Sequence, residues 1–212
     1  AEELRLGDSL VRSLMISLAI AEVESGQIQA GQTRLEEILD VPDLADSGGE
    51  GDANAYNQLA ELLIEQKQFD RAESLLANAL TIHERVSLPV GTARTKSISA
   101  RLALARADYD KAQALARDAI SGIESLRGNI ANPELRAIYQ ATLSESYELA
   151  ILSLMQADSE SGAIDALMLA EGFRARTLVD SLMQSEAATA GLVPKELQRQ
   201  RAALQARINR AE

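Results

Sequence analysis

"AYNQLAELLIEQKQFDRAESLLANALTI", residues 55–82, carries a pattern that recurs within "RTKSISARLALARADYDKAQALARDAIS", residues 94–121. Small residues stand at Ala60, Ala72 and Ala79, and again at Ala100, Ala112 and Ala119. In both sets the spacings are 12 and then 7, and the offset between sets is 40 residues. An aromatic ring, Phe69 or Tyr109, precedes the middle alanine by three positions. Self-similarity at a fixed period is the mark of a repeat architecture, in which each unit buries its apolar face on its neighbours.

The spacing has a steric cause. Each unit reads as two antiparallel helices joined by a short turn, "EQKQF" or "RADY". The first two small residues let the paired helices approach where they cross. The third lets the second helix meet the next unit. A larger side chain at such a crossing overpacks it, at about 1–3 kcal/mol. The ring opens the second helix and covers the turn. This small–aromatic–small pattern resembles the tetratricopeptide repeat. The offset exceeds that repeat's usual period of about 34 residues, which longer helices and extra loop would explain.

Working outward, residues 4–39 read as a first hairpin, with Ala19 and Gly31 at two small positions and Ile38 at the third. "VPDLADSGGEGDA", 41–53, reads as a mobile Gly- and Asp-rich loop. "SLPVG" (87–91) and "RGNIANP" (127–133) are shorter breaks. Asn132 followed by Pro133 suits a helix start. The helix after it runs to about Met155 with Tyr139, Leu143, Tyr147, Ile151 and Leu154 on one face. The expectation is an all-α, right-handed α-solenoid over 1–212, one domain, with hairpins at about 4–39, 53–86, 92–127 and 133–187. A terminal helix at about 194–211, with Leu197, Leu204 and Ile208 on one side, is expected to pack back on the helix before it.

Composition agrees and excludes several functions. Hydrophobic residues are 46% and charged ones 25%, but aromatics only 3%. A core of Leu, Ile and Ala suits helix on helix better than a sheet. The net charge of -11 argues against nucleic acid, whose phosphates select basic surfaces, and against anionic membranes. No run of 18 apolar residues marks a transmembrane helix. Without cysteine there is no disulfide, thiolate metal site or cysteine nucleophile. His83 is the single histidine, and its expected role is structural. Gly48, Gly49 and Gly51 lie among acidic residues and do not make a phosphate loop. No cofactor, metal or catalytic residue is therefore expected. The chain opens "AEELRLGD" without Met, as a trimmed chain would, and a cytoplasmic location is expected.

"LAEGFRARTLVDSL", 169–182, places Leu167, Glu171, Arg174, Leu178 and Leu182 on one helical stripe. Glu171 and Arg174, three apart, can pair within that apolar face, at its rim or against a neighbour such as Arg136. Arg176 and Asp180 fall on the opposite, solvated side, and Ala166, Ala170 and Phe173 form a second buried edge. Together with "NPELRAIYQATLSESYELAILSLMQ", 132–156, these residues resemble the segment of bacterial TPR–CHAT proteins that precedes their CHAT domain. Glu171, Arg174, Ala175, Arg176, Leu178, Asp180 and Leu182 carry the likeness, and "GLVPKELQRQRAALQARI" extends it. The resemblance implies a caspase-like CHAT peptidase domain downstream, with a His–Cys dyad that this cysteine-free chain does not contain.

The first helices of the hairpins should line a concave face. Register puts Asn54, Asn57, Glu61 and Glu65 there from one repeat, and Arg94, Ser97, Arg101 and Leu104 from the next. Asn and Arg can bond the backbone and carboxylates of an extended peptide. The Lys/Asn pattern of carboxylate-clamp repeats is not present, which argues against chaperone tails as clients. The expected function is protein or peptide recognition, with control of an associated CHAT domain. The alternative is a stand-alone scaffold that recruits separate partners.

Overall fold

Helices form where the repeat pattern places them. The computed structural model describes the backbone of residues 2–126, 133–157 and 161–190, and side chains over 10–126, 138–157, 161–178 and at Ser181. In chain order the elements are α1 (Glu2–Glu24), α2 (Ile28–Leu39), the single turn α3 (Leu44–Ser47), α4 (Glu50–Glu65) and α5 (Phe69–Arg85). They continue as α6 (Pro89–Ala105), α7 (Tyr109–Glu124), α8 (Pro133–Gln156) and α9 (Gly162–Ala190). Phe69 and Tyr109 open α5 and α7, and Pro133 opens α8, as expected. The helix expected over 194–211 lies outside the described residues. The sequence suggests one domain, whereas the chain divides into two compact units, Ala1–Ala166 and Leu167–Glu212.

In the first unit, α1 pairs with α2, α4 with α5, and α6 with α7. The first helices then lie side by side, α1 against α4, α4 against α6 and α6 against α8. Each second helix also meets the next unit: α2 touches α4, α5 touches α6 and α7 touches α8. Ala60, Ala72, Ala79, Ala100, Ala112 and Ala119 are all fully buried at these crossings. Gly31 stands at the position of Ala72 and Ala112. A Cβ there would lie 2.6 Å from the Ala19 carbonyl oxygen and the Val23 side chain.

One turn geometry recurs. Gly26, Lys67, Ser87 and Ala107 follow α1, α4, α5 and α6 with φ of 87°, 61°, 53° and 60°. In each, the next amide reaches back to a carbonyl five residues earlier: Gln27 to Glu22, Gln68 to Leu63, Leu88 to His83 and Asp108 to Ala103. This left-handed cap closes the last carbonyls of the helix and reverses the chain.

The 41–53 segment is not the open loop its composition suggests. Leu44 is buried in the core. Arg85 donates a hydrogen bond to the Gly48 carbonyl. The Gly49 amide donates to Asp52 at 2.8 Å. This cap lets α4 begin at Glu50 rather than 53. Among the described residues no helix is long and apolar enough to cross a membrane.

Candidate functional site

The face built by α4, α6 and α8 carries the positions that register assigned to a peptide groove. They do not all face outward. Asn54, Glu61, Arg94, Arg101 and Leu104 are half-buried, and Glu65 is exposed. Asn57 and Ser97 are fully buried, which corrects their assignment to the groove. They are equivalent positions 40 apart, and both pack toward the next first helix. Asn57 on α4 donates to Thr95 Oγ1 on α6 at 3.1 Å. Ser97 on α6 meets Ser146 Oγ on α8 at 2.6 Å.

A charge ladder runs across the same three helices. Arg101 Nη1 donates to Glu61 at 3.1 Å, and its Nη2 donates to Glu145 on α8. Burial opposes the Arg101 charge, but the Glu145 and Glu61 carboxylates outweigh it and hold the guanidinium above its ordinary range. Burial pushes the Glu61 carboxyl up, and Arg101, then Arg94, pulls it part of the way back. Arg101 is thus a tie between helices rather than a free cation. Arg94 differs: beside Glu61, it makes no hydrogen bond or short ion pair with the described residues. Of the two arginines among these positions, Arg94 is the one not tied to a carboxylate by a hydrogen bond among the described residues.

Behind this face lies a buried polar knot. Thr95 Oγ1 is 3.1 Å from His83 Nδ1 and donates to the Gly91 carbonyl at 3.1 Å. The His83 ring lies over Gly91, where a Cβ would come within 2.6 Å of Cδ2 and Nε2. His83 is therefore structural, as expected, and Gly91 is the residue that makes room for it. Sequence reading had no pattern pointing to that pair, because the two meet only when α5 and α6 fold together.

In the second unit, Arg174 donates to Glu171 at 2.5 Å, so the pair forms. Its surroundings differ from expectation. Leu167 and Leu178 on the same stripe are both 61% exposed, so this face points to solvent. Phe173 and Ala170, the expected second edge, are half-buried, and so is Arg176, which was placed on the solvated side. The side chains of Arg136 and Asp180 lie outside those described.

The comparisons agree with this geometry. The family model described as Tetratricopeptide repeat matches residues 51–125. That segment spans α4 to α7, and its likeness to the tetratricopeptide repeat agrees with the hairpin packing there. The crystal structure of BtubC (BKLC) from P. vanneervenii superposes with a TM-score of 0.65 at 21% identity, over 79% of this chain and 65% of that one. The chain thus spans just under two thirds of that protein, and the likeness is one of fold. No curated protein matches the chain. Neither match gives evidence of a CHAT domain.

Proposed function

We propose that the repeat array is a protein-recognition module whose α4–α6–α8 face binds an extended, carboxylate-bearing peptide. The observation that carries this is Arg94, a half-buried cation without a short ion pair among the described residues, in a chain of net charge -11. Arg101 is already held between Glu61 and Glu145 and sets the shape of the face. An acidic segment is drawn to Arg94, and its backbone can bond Asn54 nearby in register. The chain performs no catalysis in this reading, and its place is the cytoplasm. Fluorescence anisotropy against a panel of acidic peptides tests it. Binding should weaken with salt and fall at least about tenfold in Arg94→Glu, the loss of one buried charged contact. Lys96→Glu, whose side chain pairs with Asp118 instead, should bind as wild type. Equal affinity for wild type and Arg94→Glu moves the site elsewhere.

The resemblance over 132–182 supports a narrower proposal, that the array regulates a CHAT domain in the same polypeptide. The parent coding sequence is the test. A downstream region without a caspase-like His–Cys pair removes this role and leaves the stand-alone scaffold.

A further inference from the structure

Two clefts open between successive second helices, at equivalent places in the repeat. One, of about 420 Å³, lies between α2 and α5, with Leu39, Leu59 and Leu75 as its apolar lining. The other, of about 200 Å³, lies between α5 and α7. There Leu80, Ser99 and Leu115 stand at the positions of Leu39, Leu59 and Leu75. The α5–α7 cleft is open although helices stack before and after its two hairpins, α2 on α4 and α8 on α7. The opening thus belongs to the repeat itself, on a face that stacking does not cover.

The two clefts differ in charge. At the α5–α7 cleft, Arg106 and Lys111 both donate to Glu73, at 2.6 and 3.1 Å, and Asp108 caps α7. One repeat earlier, Gln66 and Gln32 stand where Arg106 and Glu73 do, and bond each other at 2.6 Å. The α2–α5 cleft therefore lacks that arginine, and its rim sets Glu36, Glu37 and Asp40 against Arg71 alone. Arg71 is already paired with Glu36 at 3.0 Å. Glu37 and Asp40 are exposed and make no hydrogen bond or short ion pair with the described residues. Glu37 feels the charge of Arg34, but that guanidinium is bonded to Glu22. Apolar walls under an acidic rim complement a side chain with an aliphatic stem and a cationic head. A guanidinium can fork onto carboxylates, which an ammonium does as a point charge only. We propose that the α2–α5 cleft docks a basic segment of a partner protein. An arginine of that segment lays its stem on Leu39 and Leu75 and brings its guanidinium to Glu37 and Asp40. The site is separate from the α4–α6–α8 face, and neither reading rests on the other.

Fluorescence anisotropy with a labelled peptide of repeating glycine, leucine, arginine and serine is the test. The full chain should bind this peptide, less tightly as salt rises. It should not bind the same peptide with citrulline for arginine, which keeps the shape and loses the charge. Glu37→Lys together with Asp40→Lys should weaken binding at least about tenfold. Glu84→Lys together with Asp110→Lys makes the same change in net charge on exposed residues elsewhere, and should weaken it less than about twofold. Arg94→Glu should not weaken it. A wild-type chain that does not bind the arginine peptide overturns the proposal. So does equal binding of the citrulline peptide, or equal loss in the two charge-reversed pairs, which would mean attraction to net charge alone.

Discussion

His83 is held neutral by its position between α5 and α6. Burial lowers its basicity, and the charge of Arg94 lowers it further. Its Nε2 finds no partner among the described residues. An unfolded chain takes up a proton around pH 6.5, more readily than the folded one. More protons then bind to the unfolded state, so stability falls as pH drops. This contribution is complete above about 6.5 and is lost below it. Glu61, whose carboxyl is raised by burial, acts in the opposite direction at lower pH. The His83 part is therefore read as a difference. Urea midpoints of wild type should decline from about pH 7 to pH 5 more steeply than those of His83→Gln. Parallel profiles would show that the imidazole is not the proton acceptor.

At the scale of elements, the hairpin turns carry strain that composition does not remove. Ala107 is exposed and left-handed at φ 60°, where a Cβ is disfavoured. Gly26 has the same kind of φ, and a Cβ added there meets nothing within 4 Å. Ala107→Gly should therefore raise stability by roughly 0.5–1 kcal/mol, and Gly26→Ala should lower it by a similar amount. Thermal denaturation of the two variants reads both signs, and a shift of the same sign in each would refute the backbone account. The helix crossings give the second test. Ala72 and Ala112 are fully buried, and Ala114 is exposed. Ala72→Leu or Ala112→Leu should cost about 1–3 kcal/mol by overpacking, and Ala114→Leu close to nothing. Equal midpoints for all three would show that the repeat register is misplaced.

Across the whole first unit, Arg101 links helices supplied by three successive repeats. Replacing it with glutamate brings three carboxylates together on α4, α6 and α8. The side chains are partly solvated, so Arg101→Glu should cost on the order of 1 kcal/mol rather than unfold the protein. Glu61→Gln in that background should recover part of the loss, and raised salt should narrow the gap. Guanidine is unsuited to the measurement because it is itself a salt, so urea is the denaturant of choice. A loss that neither salt nor Glu61→Gln alters would mean that Arg101 acts by packing alone.

The helix hairpins were legible in the chain because their causes are local. Ala60, Ala72 and Ala79, with Phe69 at the turn, all act within one unit, and the second unit repeats them at a fixed offset. Local pattern also places a stripe such as 54, 57 and 61 on one face of α4. It cannot divide that stripe between groove and neighbour. Asn57 went to Thr95 and Ser97 to Ser146, and Arg101 was claimed by glutamates 40 and 44 residues away. Likewise Leu167 and Leu178 share an apolar stripe, yet both are exposed while Phe173 is half-buried. The reason is rotational. Amphipathic spacing sets which residues share a face, while the angle at which each helix settles against its neighbours decides which edge of that face is closed. That angle comes from close packing between helices, so only the tertiary structure could separate the buried positions from those left open.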